Sequence, residues 1–481
     1  MSKYIRFFSD LSNEDTAEVG GKNASLGEMI SQLGPKGIRI PSGYATTAQA
    51  YWVYLEHNGL REKLTNLFQK LDTKEFENLK ETGKKARELI LKGEFPNDLA
   101  KEIKEAYAQL KEKEEVLSSV AVRSSATAED LPEASFAGQH DSFLNIQGPE
   151  NTLKACKKCF ASLFTDRAIR YREHNGFEHM QVALSAGVQK MVRSDKASAG
   201  VGFTILPDSG YEKVLFLTGS WGLGDNVVQG AVNADEFFVF KPSLKKGMRS
   251  IISKKLGTKE KTMVYASSGS GKNDTTTINK KTPAKKQKQY VLTDEEIIQL
   301  AVWSLEIEDH YKRAMDIEWA KDGESGELYI VQARPETVHS GKDKSKIIEY
   351  RLKTEGKVIT KGTGIGERIT KGKSRILSSP DESDKLQKGD VLVTEITNPD
   401  WDNVMKKASA IVTNSGGRTS HAAIVARELG AVAVVGTGNA TEVIKDGQEI
   451  TVACAGGNIG KIFEGFLEWE EKEIDFGKQE E

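Results

Sequence analysis

The stretch from residue 390 to 454 constrains the fold most. It contains the short apolar runs "DVLVTEI", "ASAIVTN", "AVAVVG" and "QEITVAC", with the helical-looking "TSHAAIVAREL" set between the second and the third. Alternating strands and helices of this kind imply α/β or α+β layers. In "TNSGGRTSHAAIVARELG", Ile424, Val425 and Leu429 lie close to helical spacing, and Ala422, Ala423 and Ala426 favour a helix. Thr419 or Ser420 is placed to cap it, so His421 is expected in the first turn.

A helix start carries partial positive charge. It favours a neutral, nucleophilic imidazole and would stabilise a phosphate added to it. Gly416 and Gly417 would free backbone N–H groups, and Arg418 would add charge. A first-turn histidine with capping duties alone is the plainer alternative. The glycines, the arginine and the small hydroxyl residues favour phosphotransfer instead.

Upstream, three further stretches suit a bound nucleotide. "EVGGKNASLGEM" carries Gly20, Gly21 and Lys22, where backbone N–H groups and a point charge could meet an anion. "VAVRSSATAED" ends a strand on Arg123 amid small hydroxyls, and a guanidinium can grip two phosphate oxygens. A salt bridge from Arg123 to Glu129 or Asp130 is the alternative. In "MDIEWAKDGESGELYIVQARPETV", Asp316 and Glu318 share one strand face, and Gln332 and Arg334 repeat that spacing on the next strand. Two acids, an amide and a guanidinium in one cleft would suit Mg²⁺ and a triphosphate; a ladder of salt bridges at a sheet edge is the alternative. Ala197, Ser198, Ala199 and Gly200 could form a flexible flap over phosphates. Residues 266–289, with six lysines and one aspartate, read as a solvated loop; "SGSGK" within it lacks the spacing of a phosphate loop. Residues 338–357 read as a linker or an exposed helix.

Bulk properties exclude several classes. A chain of 481 residues with 38% hydrophobic and 29% charged residues has ordinary globular composition and room for several domains. A net charge of −2 gives no global drive toward nucleic acid or anionic membrane. No apolar run approaches a membrane span, and no signal peptide is apparent. The three cysteines, Cys156, Cys159 and Cys454, fit a reducing compartment, most simply the cytoplasm. "CKKC" at 156–159 reads as plain helix positions.

Taken in order, "GGKNASLGEM", "AVRSSATAEDLPEASFAGQ", "LSAGVQKMVRSD", "WGLGDNVVQGAV", "MDIEWAKDG", "IVQARPETV", "PDWDNVMKKASAIVTN" and "GGRTSHAAIVARELG" resemble the phosphoenolpyruvate synthase (pyruvate, water dikinase) family from about residue 5 to 465. The resemblance implies an ATP-grasp-like N-terminal subdomain at 1–190 and an ATP-grasp-like C-terminal subdomain at 191–340. It further implies a linker at 341–355, a swivelling β/β/α phosphohistidine domain at 356–467 and an acidic tail at 468–481. It implies ATP and Mg²⁺ at Lys22, Arg123, Gln189, Met191, Asp316, Glu318, Gln332 and Arg334, with Gln189 and Met191 near adenine and Asp316 and Glu318 on the metal. His421 would accept the β-phosphoryl group, supported by Gly416, Gly417, Arg418, Thr419 and Ser420, leaving AMP and phosphate. Thr419 matches the threonine modified by a regulatory kinase/phosphorylase in relatives.

The family's pyruvate-binding barrel is not within these residues, so the expected activity is the ATP half-reaction alone. Departures include Ser415 where arginine is usual, Ser420 where the synthases have cysteine, and Asp225 where glutamate is usual. Two other readings remain: the same phosphohistidine chemistry serving another acceptor on a partner chain, or a nucleotide-responsive binding module without turnover.

Overall fold

The structure, a computed structural model, describes residues 2–74, 76–114, 117–127, 142–207, 209–266, 276–336, 346–455 and 459–475. Glu129 and Asp130, the "SGSGK" stretch and the last residues of the acidic tail lie outside them. The chain forms two compact units. One comprises residues 1–193, 264–278 and 317–334, and the other residues 194–263, 279–316 and 335–481. The architecture is multidomain α/β, as the alternating strands and helices imply.

The first unit contains a five-stranded antiparallel sheet. Its strands in spatial order are Ile5–Phe7, Gly43–Thr46, Leu184–Lys190, Val120–Ala126 and Ser142–Ile146. Helices including Ala48–His57, Leu79–Lys92 and Pro149–Ser162 bury one apolar stripe each around Tyr51, Tyr54, Ile90 and Phe160. Cys156 and Cys159 sit in this core as free thiols, and burial pushes Cys156 up to about 12, which leaves it inert. The helix that holds them ends at Ser162, and the Thr165 side chain caps a second helix, Asp166–His174.

The second unit contains an antiparallel meander of Ser198–Phe203, Val214–Trp221, Asp235–Phe240 and Ile251–Lys255. Helix Asp294–Tyr311 packs against it, started by a capping box between Thr293 and Glu296. Ala197–Gly200 is therefore no flap. Residues 198–200 pair with Trp221, Ser220 and Gly219, and a Cβ on Gly200 would run into the Thr218 carbonyl. Small residues are there because a neighbouring strand passes closely. Part of the presumed loop 266–289 is likewise strand: Thr277–Lys281 pairs with Lys261–Tyr265.

The same unit contains a closed seven-stranded barrel. Strands Ile369–Ile376, Val391–Thr394, Ala410–Thr413 and Val432–Val435 pair parallel with one another in that order, and the other pairings of the barrel are antiparallel. Val391, Val393, Val412 and Val434 fill one apolar cluster, whereas Leu392, Ile411, Ala433 and Val435 face the helices in another. Burial on both faces explains why these strands read as continuous apolar runs. The segment read as a linker or an exposed helix is partly a strand, Lys346–Leu352, and pairs antiparallel with Trp469–Asp475 from the acidic end of the chain. Among the described residues no helix is long and apolar enough to cross a membrane.

One buried polar group in the first unit makes an acid-sensitivity prediction. Burial, and then the Arg172 guanidinium, hold His179 down to about 3. Arg172 Nε donates to its Nδ1 at 2.9 Å. Glu173 Oε1 lies 2.7 Å from Nε2. The unfolded chain takes up a proton below about pH 6.5 while the folded one does not, so stability falls with pH at up to ~1.4 kcal/mol per unit. Urea midpoints measured between pH 7 and 5.5 should decline, and His179→Gln should remove about one proton's worth of that slope.

Candidate active site

The first unit collects most of the proposed nucleotide residues. Strand Met315–Lys321 alternates buried Met315, Ile317 and Trp319 with half-buried Asp316 and Glu318, so the acids share the face away from the core. Strand Leu328–Pro335 likewise carries Gln332 and the half-buried Arg334. Arg123, on Val120–Ala126, places Nη1 3.4 Å from Glu318 Oε2 and 3.4 Å from Gln332 Oε1. Both contacts are long beside the ~2.8 Å usual for a charge-assisted bond. Arg123 Nε and the buried Ser125 hydroxyl have no hydrogen-bond partner among the described residues. The arginine is thus held in place without being fully engaged.

Lys22 approaches the same strand, its Nζ donating to the Ser124 carbonyl at 3.4 Å. Gly20 permits this. It breaks helix Thr16–Glu28 at φ 75°, and a Cβ would lie 2.6 Å from the Ser125 carbonyl oxygen. Gln189 is buried, its amide donating to the Val331 carbonyl at 3.4 Å, and the Met191 N–H donates to Ser119. Asp316 belongs to the second unit, at the start of the strand that carries Glu318.

Mg²⁺ prefers hard oxygen donors and keeps waters and phosphate oxygens in its shell, so one or two carboxylates suffice. The Glu318 carboxylate, with the Gln332 amide oxygen nearby, is chemically such a set. Among the described residues no group of three or more metal-binding side chains gathers.

In the second unit, His421 opens helix His421–Leu429, with Ser420 at the N-cap position. Ser420 is buried, its side chain makes no capping bond, and its hydroxyl has no partner among the described residues. Gly416 needs its positive φ of 112°, whereas Gly417 stands in open space. Arg418 is buried, its Nε 3.9 Å from Glu236, and burial lowers it to about 10. Thr419 is buried as well.

The His421 ring, 14% exposed, is gripped at both ends. Nδ1 lies 3.0 Å from Thr397 Oγ1, and Nε2 lies 2.9 Å from Asp402 Oδ1. Ser415, standing where arginine was expected, donates to Glu395 at 3.1 Å, and Asn414 donates to the other Glu395 oxygen at 2.6 Å.

Sequence reasoning missed Thr397, Asp402, Glu395, Glu236 and Arg427. Arg427 shares the His421 helix. Burial lowers it to about 10, while Asp316, Glu336 and Glu236 favour its charge. Asp402 stood inside the quoted "PDWDNVMKKASAIVTN", but nothing local tied it to a histidine so far along the chain.

Two separate groupings therefore occur in one chain: an arginine–amide–carboxylate cluster carried on three strands, and a histidine at a helix start beside a barrel. Two known family models match the chain. The pyruvate phosphate dikinase AMP/ATP-binding domain matches residues 16–355, and the PEP-utilising enzyme mobile domain matches residues 386–457. The chain belongs to the pyruvate phosphate dikinase AMP/ATP-binding family. It is 51% identical to the phosphoenolpyruvate synthase of Aquifex aeolicus over 98% of its own length and 56% of that protein's. It is 52% identical to that of Neisseria meningitidis, over 97% of this chain and 59% of the relative. It is 49% identical to that of Escherichia coli, over 98% of this chain and 59% of the relative. The chain thus spans less than two thirds of the length of these curated relatives. A solution structure of Enzyme I overlaps 16% of this chain and 32% of its own, at 36% identity and a TM-score of 0.15.

The His421 loop also leans on the meander of the same unit. Gly230 has φ 66°, and a Cβ there would run into Ser420 Cβ. Gly230→Ala should dislodge the loop, since overpacking costs ~1–3 kcal/mol. Amide exchange across residues 413–430 should quicken about tenfold or more. Exchange in Val391–Thr394 should stay unchanged.

Proposed function

We propose that the chain is an ATP-dependent phosphotransferase that moves the β-phosphoryl group of ATP onto His421, leaving AMP, with the γ-phosphoryl group passing to water as phosphate. This is the first half of phosphoenolpyruvate synthesis from pyruvate, ATP and water. The observation that carries the reading is the placement of His421: first residue of a helix, beside the orphaned Ser420 hydroxyl, after a loop turned by Gly416. A helix N-terminus with an unsatisfied hydroxyl suits a phosphoryl group. The family membership supports the nucleotide half.

In this reading Lys22, Arg123 and Arg334 bind the phosphates and neutralise charge as the β-phosphorus is attacked. Gln189 and Met191 border the adenine. Asp316 and Glu318, with Gln332, hold Mg²⁺, which when bound would neutralise phosphate charge. Gly416, Gly417, Arg418, Thr419 and Ser420 receive the phosphoryl group. A regulatory kinase/phosphorylase acting on Thr419 would place a dianion two residues from His421 and repel the incoming phosphate; the burial of Thr419 means it must first be uncovered. The working division is nucleotide binding by residues 1–340 and phosphoryl carriage by 356–467. We propose pyruvate as the final acceptor and the cytoplasm as the compartment.

The test uses ATP labelled separately at the β and γ positions. Label should remain on the protein from the β position only, AMP should form, and His421→Ala should abolish both. Arg123→Ala should slow AMP formation by at least about a hundredfold, as loss of a transition-state charge partner does. No AMP from the wild-type chain, or undiminished labelling in His421→Ala, would refute the proposal.

A further inference from the structure

The stretch "IISKKLGTKEK", residues 251–261, buries a residue its composition would leave outside. Ile252 and Leu256 are 59% and 43% exposed, while Lys259 is fully buried. Its Nζ pairs with the equally buried Asp235 and donates to the Gly257 carbonyl at 2.8 Å. The Asp235 carboxylate also accepts from the Gly257 N–H at 2.8 Å and from the Val291 N–H at 2.9 Å. Lys259 is held at φ 44°, a left-handed conformation uncommon for a residue with a side chain. Two charges are costly to take out of water, and apolar residues of like volume would hold such a core as well. What the pair adds is geometry, since each of its bonds to the main chain fixes a particular backbone group.

The segment fixed in this way leads to His421. The Lys259 N–H donates to the Asn233 carbonyl at 3.1 Å, and a Cβ on Gly257 would run into the Asn233 and Ala234 carbonyls. Asp235 follows directly and begins strand Asp235–Phe240. Residues 229–234 are thus pinned at one end by the buried pair. At the other end they leave the short helix Asp225–Val228, and Val232 between them sits in an apolar cluster with Val201 and Phe216. The same segment touches the His421 loop. Gly230 lies against Ser420, the residue before His421. A Cβ on Gly416 would come 3.4 Å from the Gly230 carbonyl oxygen, and one on Gly436 would come 3.2 Å from Asn233 Oδ1. Glycines on both sides of this contact let the segments approach closely and leave little slack.

We propose that Asp235 and Lys259 are positioning residues for phosphoryl transfer: their buried pair sets residues 229–234 as a seat that fixes where the His421 loop lies. The inference rests on the reading of His421 as phosphoryl acceptor. Among the described residues, neither side chain bonds to the His421 ring or to a residue assigned to the nucleotide. The pair acts through Asn233 and Gly230 on Gly416, Ser420 and Gly436. Attack on phosphorus needs the nucleophile held close and aligned, and a misplacement of ~1 Å costs about a hundredfold. A loosened seat therefore slows transfer to His421 without weakening the hold on ATP.

The experiment compares wild type with Lys259→Met, which leaves Asp235 its two backbone donors, and with Asp235→Asn. The double variant leaves no unpaired buried charge and serves where a single change unfolds the protein. Single-turnover labelling from β-labelled ATP is followed over a range of ATP concentrations and expressed per folded molecule. The rate at saturating ATP should fall at least about tenfold, while the ATP concentration giving half that rate stays unchanged. The amide resonances of Gly416 and Ser420 should shift, and that of Val122, in the sheet of the first unit, should not. A pair that only stabilises the fold would lower the folded fraction and leave the rate per folded molecule and these resonances as in wild type. That result overturns the proposal, as does a raised half-saturating ATP concentration with an unchanged maximal rate. If wild type takes no label at all, the phosphotransfer reading fails, and the Gly416 and Ser420 resonances still decide whether the pair sets the loop.

Discussion

The site around His421 depends on the parallel ladder between Val391–Thr394 and Ala410–Thr413, in register from Val391↔Ala410 to Thr394↔Thr413. Parallel neighbours finish at the same sheet edge, so the loops that follow them emerge side by side. One loop supplies Glu395, Thr397 and Asp402, and the other Asn414, Ser415 and the turn into His421. Glu395 ties the loops together one residue past the strands. The ring is thus set by backbone pairing some twenty residues away in sequence, and the strands beneath are immobilised by burial on both faces. A shift of one residue in that ladder would turn Val393 and Val412 out of their cluster and dismantle the site.

The cluster around Arg123, the proposed nucleotide site, is built differently. Two strands with polar residues at alternate positions present Glu318 and Gln332, and a third strand brings Arg123 against them. The contacts there are long, 3.4 Å each, so the guanidinium is held without tight engagement. Tight contact appears instead in the backbone, where Gly20 lets its helix approach Ser125. In both units a glycine at positive φ brings main chain close to a serine, Gly20 to Ser125 and Gly416 to Ser420. The hydroxyls of those two serines have no hydrogen-bond partner among the described residues.

Much of this was legible in the sequence because it is local. The i, i+2 spacing of Asp316 with Glu318 and of Gln332 with Arg334 fixes a common strand face, and the helix after His421 follows from its alanines and aliphatic spacing. What stayed hidden is long-range. Asp402 and Thr397 meet His421 only through the parallel register, and Glu236 meets Arg418 through the packing of the barrel loop on the meander. Ala197–Gly200 looked like a flap because small residues signal either mobility or a close neighbour, and sequence cannot separate the two. Residues 346–352 looked like a linker because their partner strand lies more than a hundred residues further along.

The central claim is that His421, and no hydroxyl beside it, takes a phosphoryl group from ATP. Trypsin cutting after Arg418 and Arg427 would release Thr419–Arg427, a peptide holding Thr419, Ser420 and His421 together. Mass spectrometry of that peptide after brief incubation with ATP is the most direct measurement. The account predicts the added mass of one phosphoryl group, located on His421 by fragmentation and lost in mild acid. An unmodified peptide, or an acid-stable phosphate on Thr419 or Ser420, would contradict it.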